Sequence, residues 1–301
     1  MLGIMKELVG MKEIQLKSRA KINLSLDVIN KRPDGYHEVQ MIMQQIDLYD
    51  KVTLTERTDQ QIRVMSNCQF IPKDSGNIAY QAALKMQKYF NINQGIDIFI
   101  EKHIPVAAGL AGGSSNGAAV ITGLNRLWNL NLSTEEMMKI GVEIGADVPF
   151  CILGGAALAE GIGEKLTPIE GLKNVWMVIA KPALSVSTAE VYGQLDLSRM
   201  IDRPNTPKLL RAIEKGDITS LSKNMKNVLE TVTEVKYPVI KEIKNKMMEY
   251  NALGSMMSGS GPTVFGLYKN YEKAKSAYEH LSILYKQTYM IQSYCRRNED
   301  E

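Results

Sequence analysis

Cysteine is scarce in this sequence, and the few cysteines are scattered. Among 301 residues there are three, Cys68, Cys151 and Cys295, with no CxxC pair and no adjacent histidine. Structural zinc sites need clustered Cys and His ligands, so this spacing excludes one. The odd, dispersed set also differs from the even disulfide framework of small secreted domains. We therefore expect reduced thiols and a cytoplasmic location.

A large charge of one sign is also missing. Lys and Arg total 36 against 33 Asp and Glu, a formal net charge of +3, and the basic residues are interspersed with acidic ones. Proteins that bind nucleic acids concentrate positive charge on one face. We expect no nucleic acid partner.

Long hydrophobic runs are absent as well. The N-terminal segment MLGIMKELVGMKEIQL is interrupted by Lys6 and Glu7, whereas a membrane span needs about 20 apolar residues. We expect neither a signal peptide nor a membrane partner. Met11 is an equally plausible start of the chain.

The composition is that of a globular enzyme, with 45% apolar and 23% charged residues, and the length favours two domains. Alternation and short apolar runs predict strands at 13–30, 52–55, 62–65, 95–101, 150–158, 176–180, 263–268 and 287–294. Helical spacing and caps predict helices at 77–90, 114–128, 133–145, 188–195, 206–214, 217–230, 238–250 and 271–285. Strict βαβ alternation is lacking, which favours an α+β fold with a domain boundary near 160–172.

A glycine-rich loop, PVAAGLAGGSS, lies between a predicted strand and a predicted helix. Glycines let a backbone approach a ligand closely, and the free N–H groups at a helix start bind anions. Phosphate is the natural occupant. A bare GGSS is more often a flexible connection with a cap, but the order strand, loop, helix favours the phosphate site. The Walker and protein-kinase signatures are missing, and Gly161-Ile-Gly163 lacks the spacing of a dinucleotide fingerprint.

Three segments resemble the motifs of the GHMP kinases, in the same order along the chain. They are AKINL near the N-terminus, PVAAGLAGGSSNGAA, and SGSGPTVFGL. The resemblance implies a two-domain α+β fold with an ATP-binding N-terminal domain at 11–165, a ferredoxin-like C-terminal domain at 166–301, and an active site in the cleft between the domains. It also implies ATP, with Mg²⁺, as the phosphoryl donor.

Two further segments, KRPDGYHE and GADVPF, resemble one branch of this superfamily. That branch phosphorylates the 2-hydroxyl of a cytidine diphosphate ester of methylerythritol in the non-mevalonate route to isoprenoid and terpenoid precursors. The alternatives are a homoserine-type or mevalonate-type kinase, or a non-catalytic nucleotide-sensing relative. The last would be expected to lack Lys21 or Asp147, and both are present.

The resemblance implies that Asp147 is the catalytic base and that Lys21 pairs with it. By itself, an Asp after Gly-Ala is typical of a turn or a cap, and strand alternation alone favours a solvent-facing Lys21. Asn23 lies two residues further along the same strand face, where it can contact the erythritol part of the substrate.

Tyr36 and His37 are the residues that we expect to select the substrate. An aromatic face beside a neutral imidazole can stack on a pyrimidine and hydrogen-bond its edge, although a lone Tyr-His pair is more often structural. The resemblance implies cytosine recognition here, with Tyr192 as the second aromatic side chain.

The remaining predicted site residues bind the nucleotide. Asn77 is either a helix cap or an adenine contact, and Lys102 is an electrostatic partner of the nucleotide. Among possible metal ligands we name Ser115 alone, because no glutamate can be assigned. The loop residues that the resemblance implies around ATP are Pro105, Val106, Ala107, Ala108, Gly109, Leu110, Ala111, Gly112, Gly113, Ser114 and Ser115.

Overall fold

A computed structural model describes residues 12–295 of the chain, so the N-terminal segment up to Met11 lies outside the described residues. Ten strands are found there: β1 Glu13–Lys31, β2 His37–Glu56, β3 Ile62–Ser66, β4 Ile96–Glu101, β5 Ala156–Gly161, β6 Lys165–Pro168, β7 Trp176–Lys181, β8 Gly254–Met257, β9 Val264–Tyr268 and β10 Gln287–Gln292. The helices are α1 Ile78–Phe90, α2 Gly112–Leu127, α3 Thr134–Val142, α4 Val148–Leu153, α5 Thr188–Gly193, α6 Thr206–Glu214, α7 Ile218–Asn224, α8 Glu230–Lys236, α9 Val239–Glu249 and α10 Tyr271–Leu284. This mixture confirms the α+β prediction.

The chain forms two compact units, and neither is a continuous stretch of sequence. The first unit comprises the residues up to Arg19, Tyr49–Val106 and Gly112–Leu153. The second comprises Ala20–Leu48, Ala107–Ala111 and the residues from Gly154 on. Strands β1 and β2 therefore contribute residues to both units. The predicted boundary between residues 165 and 166 stays a prediction.

The first unit packs four helices on a small sheet. The Lys51–Glu56 part of β2 pairs with β4 in antiparallel register, and β3 adds to β4 in parallel. Helix α1 buries Ala79, Ala82, Ala83 and Met86, the stripe that its spacing predicted. A capping box is present at the start of α3, where the Ser133 and Glu136 side chains each accept from the other's backbone N–H group.

The second unit contains two groups of paired strands and the helices α5–α10. Residues 39–44 of β2 pair with β5, which in turn pairs with β6, both antiparallel. The other group is an antiparallel sheet in the order β10-β7-β9-β8. One of its two central strands, β9, is buried over its whole length, as expected for a strand covered on both faces.

Two predicted elements are wrong in part. The predicted strand 150–158 is helical over its first residues, because Val148–Leu153 forms α4 and only Ala156 begins a strand. A short apolar run does not distinguish the two by period, and Pro149 fits the first turn of a helix. The predicted helix 217–230 ends at Asn224, since Lys226 and Val228 hydrogen-bond to Leu26 of β1.

Strands β6 and β8 were not predicted from the sequence, because each has only four residues. The part of β2 before Val52 was also not predicted, because both faces of that part are buried and no alternation is visible. Among the helices of residues 12–295, none is long and apolar enough to cross a lipid bilayer.

Candidate active site

The glycine-rich loop has an unusual backbone conformation. Ala107, Gly109 and Ala111 have φ angles of 50°, 72° and 55°, in the left-handed region that side chains disfavour. A Cβ atom on Gly109 would lie 2.4 Å from the carbonyl oxygen of Ser258. Glycine is therefore required at this position for both its conformation and its size. Helix α2 begins at Gly112, inside the segment 105–115 and two residues before the predicted start.

A second glycine loop, Ser258–Pro262, packs against the first one. The Ser258 hydroxyl donates to the carbonyl oxygen of Gly109 over 3.0 Å. Gly259 has a φ of 58° and lies so close that an added Cβ atom would be 3.3 Å from the same oxygen. Within the second unit, the Ala107–Ala111 part of the first glycine motif thus packs against the second motif, and the hydrogen-bonded residues Gly109 and Ser258 are 149 residues apart in sequence.

Lys21 and Asn23 form a buried polar pair on β1. Their exposed fractions are 5% and 0%, and the Lys21 ammonium donates to Asn23 Oδ1 over 2.8 Å. The Lys21 backbone N–H donates to the carbonyl oxygen of Leu110 over 3.1 Å, which ties the strand to the glycine-rich loop. The alternative of a solvent-facing lysine is wrong, because both faces of β1 are covered here.

His37 and Tyr192 are brought together from β2 and α5. Their ring centroids are 5.1 Å apart with an interplanar angle of 43°. Burial lowers the pKa of His37 below its usual value of 6.5, and the positive charge of Lys31 lowers it further. The imidazole is therefore neutral at neutral pH and offers one donor and one acceptor. Tyr36, beside it, is 60% exposed.

A tight turn precedes this ring pair. Arg32 N–H donates to the carbonyl oxygen of Tyr36 over 2.8 Å, and Gly35 N–H donates back to Arg32 over 3.1 Å. Gly35 has a φ of 89°, a conformation that glycine adopts without strain. The Asp34 carboxylate accepts from the Tyr36 N–H and pairs with the Arg32 guanidinium. These contacts hold Tyr36 and His37 at the start of β2.

Lys102 is buried rather than open to a ligand. Its ammonium contacts Asp50 Oδ2 and the carbonyl oxygen of Ile104, each at 2.7 Å, and the two charged side chains are 6% and 0% exposed. Burial lowers the pKa of Lys102, while the Asp50 carboxylate opposes that shift. A Cβ atom on Gly112 would lie 3.0 Å from the ammonium. The positive charge therefore lies directly beside the first residue of α2.

The two serines at the start of α2 differ in their surroundings. Ser115 is 3% exposed, and its hydroxyl donates to the carbonyl oxygen of Arg19 over 2.6 Å and accepts from Ser18. Ser114 is half-buried. The hydroxyl of Ser115 thus joins α2 to β1, whereas Ser114 is more accessible to a ligand.

Asn77 caps helix α1. Its side-chain oxygen accepts from the Ala79 N–H over 2.9 Å, and its amide donates to the carbonyl oxygen of Pro72 over 2.7 Å. The cap is one of the two roles that we expected, and the adenine contact stays a prediction.

Asp147 directly precedes α4, and its carbonyl oxygen accepts from the Cys151 N–H over 3.1 Å. Asp147 belongs to the first unit and Lys21 to the second, so the predicted pairing of their side chains stays a prediction.

Sequence reasoning missed two polar contributors. Asp50 holds Lys102 and also accepts from the backbone N–H groups of His103 and Ile104 over 2.7 and 2.8 Å. Thr188, the first residue of α5, lies 2.8 Å from the hydroxyl of Ser260 in the second glycine loop. Helix α5 thus touches that loop at Thr188 and carries Tyr192 one turn further along. An Asp in an apolar strand was the only available signal for Asp50.

Comparisons with known proteins identify the family of the chain. The family model for the GHMP kinases N terminal domain matches residues 77–155, and the model for the GHMP kinases C terminal matches residues 209–287. A 4-diphosphocytidyl-2-C-methyl-D-erythritol kinase of Alkaliphilus metalliredigens is 66% identical over 97% of this chain and 100% of its own length. The one of Alkaliphilus oremlandii is 68% identical over 94% of this chain and 98% of its own.

A solved structure is also similar. The crystal structure of a 4-(cytidine 5'-diphospho)-2C-methyl-D-erythritol kinase superposes with a TM-score of 0.79 and 30% identity, covering 93% of this chain and 99% of that one. The chain is a kinase with the two-domain GHMP fold, and it belongs to the family of 4-diphosphocytidyl-2-C-methyl-D-erythritol kinases.

Proposed function

We propose that the chain transfers the γ-phosphoryl group of ATP to the 2-hydroxyl of 4-diphosphocytidyl-2-C-methyl-D-erythritol. The observation that carries this proposal is the 66% identity to a relative of that name over nearly the whole chain. The buried Lys21–Asn23 pair and the His37–Tyr192 ring pair, both in the second unit, support it. The product is a precursor on the non-mevalonate isoprenoid route, and we propose that the reaction takes place in the cytoplasm.

The nucleotide phosphates are proposed to bind along the loop 105–115. Three arguments support this. The first N–H groups of α2 have no partner within the helix, its dipole is positive at that end, and the Lys102 ammonium lies beside Gly112. The first two favour an anion at this helix end, and Lys102 adds only the part of its charge that the Asp50 carboxylate does not offset. In this arrangement Lys102 lies beside the first residue of α2, and Ser114 is better placed than Ser115 to donate a hydroxyl.

The cytosine is proposed to bind at Tyr36, His37 and Tyr192. Aromatic rings stack on a base, which stabilises binding by about 1–3 kcal/mol per base. The neutral imidazole of His37 can donate one hydrogen bond and accept another at the pyrimidine edge. Neither homoserine nor mevalonate has an aromatic ring that would need such a site.

The chemistry is proposed to rest on Lys21, Asn23 and Asp147. The substrate oxygen attacks the γ-phosphorus, the bond from that phosphorus to the β,γ-bridging oxygen breaks, and ADP leaves with the bond's electron pair. Asp147 accepts the proton of the hydroxyl. Lys21, held by Asn23 Oδ1, places a positive charge near the oxygens that gain charge in the transition state.

The described residues do not provide a protein cage for a metal ion. Among residues 12–295, no group of three or more His, Cys, Asp or Glu side chains is close enough to hold one, and Ser115 is engaged with Arg19. This fits Mg²⁺, which commonly binds to substrate phosphates and retains several water ligands. We propose that Mg²⁺ would enter with ATP and would neutralise phosphate charge, and that the hydroxyl groups available to it at the start of α2 would be those of Ser114 and Ser115.

Turnover tests the proposal directly. The purified protein is incubated with ATP, Mg²⁺ and the cytidylyl substrate, and phosphorus NMR is used to detect a new phosphate monoester. Homoserine and mevalonate are run in parallel. No reaction with the cytidylyl substrate, together with turnover of either other alcohol, would refute the assignment.

The role of Asp147 is tested by Asp147→Asn, which keeps the size of the side chain but removes its basic oxygen. We expect loss of turnover with unchanged affinity for ATP by calorimetry. Asp217→Asn is the matched control, because Asp217 also precedes a helix and caps it through Ser220, and Asn caps as well as Asp. Full activity of Asp147→Asn would remove this residue from the mechanism.

A further inference from the structure

The segment between α7 and α8 is held by contacts outside itself. Lys226 accepts through its carbonyl oxygen from the Leu26 N–H over 2.9 Å, and the Val228 N–H donates to the Leu26 carbonyl over 3.0 Å. Asn227 thereby forms a parallel bridge with Leu26 on β1. Leu26 lies three residues after Asn23 on the same strand. The segment is therefore fixed to the strand that carries the buried polar pair.

The side chain of Asn227 reaches from this segment to the second glycine loop. It is 4% exposed, and its amide nitrogen donates to the carbonyl oxygens of Met257 and Gly259 over 2.9 and 2.7 Å. Its oxygen accepts from the Leu229 N–H over 3.0 Å. Every hydrogen-bonding group of the amide is used, which fixes its orientation.

Glu230 holds the same loop from its other side. One carboxylate oxygen accepts from the Met257 N–H over 2.7 Å, and the other contacts the Lys244 ammonium at 2.6 Å. Lys244 also contacts Glu234 at 2.6 Å. Met257, the residue before Ser258, is thus hydrogen-bonded at its N–H by Glu230 and at its carbonyl group by Asn227.

The loop that these side chains grip lies against the candidate site. An added Cβ atom on Gly259 would be 3.7 Å from Asn23 Oδ1 and 3.3 Å from the Gly109 carbonyl oxygen. A shift of this loop by a fraction of an ångström would therefore change its distances to Asn23 and to the Gly109 carbonyl group. Phosphoryl transfer is sensitive to such misplacement, because its catalysis is mostly positioning.

We propose that Asn227, supported by Glu230, is a positioning residue for phosphoryl transfer: it fixes the loop Ser258–Pro262 between the strand of Lys21 and Asn23 and the loop of Gly109. The catalytic role of the strand of Lys21 and Asn23 and the phosphate-binding role of the loop of Gly109 rest on the proposed function. Asn227 itself does not touch the substrate, and it acts through the backbone of Met257 and Gly259.

The test is Asn227→Ala, with Asn224→Ala as the matched control. Asn224 lies three residues earlier, and its amide bonds only to the Ser220 carbonyl within its own helix. Initial rates are measured with both substrates varied, using whichever alcohol the wild type phosphorylates. We expect Asn227→Ala to lower kcat by about tenfold to a hundredfold while KM for the acceptor stays within about twofold, and Asn224→Ala to match the wild type.

A lower melting temperature with unchanged kcat would overturn the proposal, because a structural role alone changes stability and not the rate of the folded enzyme. If Asn227→Ala does not fold, Glu230→Ala takes its place, since it removes the acceptor of the Met257 N–H while Glu234 still pairs with Lys244. It should lower kcat in the same direction by a smaller factor, and an unchanged kcat would again overturn the proposal. Inactivity of the wild type toward the cytidylyl substrate would count against the proposed function only.

Discussion

The imidazole of His37 and the phenol ring of Tyr192 lie 5.1 Å apart at 43°, although they come from a strand and a helix that are far apart in sequence. Replacing Tyr192 with alanine should raise KM for the cytidylyl substrate about tenfold, because one stacking surface for the base is lost. KM for ATP should remain unchanged. Steady-state kinetics with each substrate varied in turn measures both effects.

The chain offers a matched control for this prediction. Tyr250 and His280 form another Tyr–His pair in the second unit, with centroids 4.4 Å apart. Tyr250→Ala should leave both KM values as they are. Equal effects of Tyr192→Ala and Tyr250→Ala would argue against base recognition at the first pair.

The protonation of His37 gives a second prediction. Burial and the charge of Lys31 hold its pKa below 6.5, so the neutral form required to accept a hydrogen bond persists to mildly acidic pH. Lys31→Ala should move this pKa toward 6.5, and the acid limb of kcat/KM for the cytidylyl substrate should move to higher pH with it. Proton NMR of the imidazole follows the same titration directly.

The sign for stability follows from the same shift. The folded protein binds a proton at His37 more weakly than the unfolded chain does. The free energy of unfolding therefore decreases as the pH falls below 6.5. This contribution is absent at higher pH, where the imidazole is neutral in both states. A pKa of His37 above 6.5 in the folded protein would contradict the prediction.

Gly109 should not tolerate any side chain. With φ at 72° and the Ser258 oxygen 2.4 Å from an added Cβ atom, Gly109→Ala incurs the left-handed penalty of about 1–2 kcal/mol as well as a backbone clash. We expect lower affinity for ATP by calorimetry and a lower melting temperature. Gly193→Ala is the control, because nothing lies within 4 Å of its added Cβ, and it should be neutral. Wild-type ATP affinity in Gly109→Ala would contradict the prediction.

The buried pair of Lys102 and Asp50 should contribute to stability. Lys102→Met leaves a carboxylate with 0% exposure without its counter-charge, and loss of one partner of such a pair costs about 3–5 kcal/mol. The backbone N–H groups of His103 and Ile104 still donate to Asp50, so we expect a loss at the lower end of this range. Urea unfolding measures the loss. Lys173→Met serves as the control, since its pair with Glu170 is 69% and 67% exposed and should change stability by less than about 1 kcal/mol.

Part of the arrangement of these residues could be predicted because its signals are local. Lys21 and Asn23 are two residues apart on a strand, which places them on one face, and the order of the glycine motifs indicated a phosphate site. Tyr192 could be placed from the start of its helix at Ser187. The stripe of Ala79, Ala82 and Met86 on α1 followed from a spacing of three and four residues.

The remaining contacts depend on residues that are distant in sequence. Nothing in the sequence near Lys102 indicates that it forms an ion pair with the buried carboxylate of Asp50, 52 residues away. Asn227 lies in a stretch whose helical spacing is strong, and its actual conformation is decided by hydrogen bonds to Leu26 and Gly259. Local propensity is overridden where a backbone finds better partners elsewhere in the fold.

The division of β1 and β2 between two compact units has a consequence for biosynthesis. The first unit is complete in sequence at Leu153, whereas the second needs Ala20–Leu48 together with the residues from Gly154 on. A ribosome adds about 5–20 residues per second, so the half of β2 that pairs with β5 waits several seconds for its partner strand. During that time it exposes an unpaired strand edge, which is prone to aggregate. Nascent chains stalled near Leu153 should therefore be the form that most needs a chaperone.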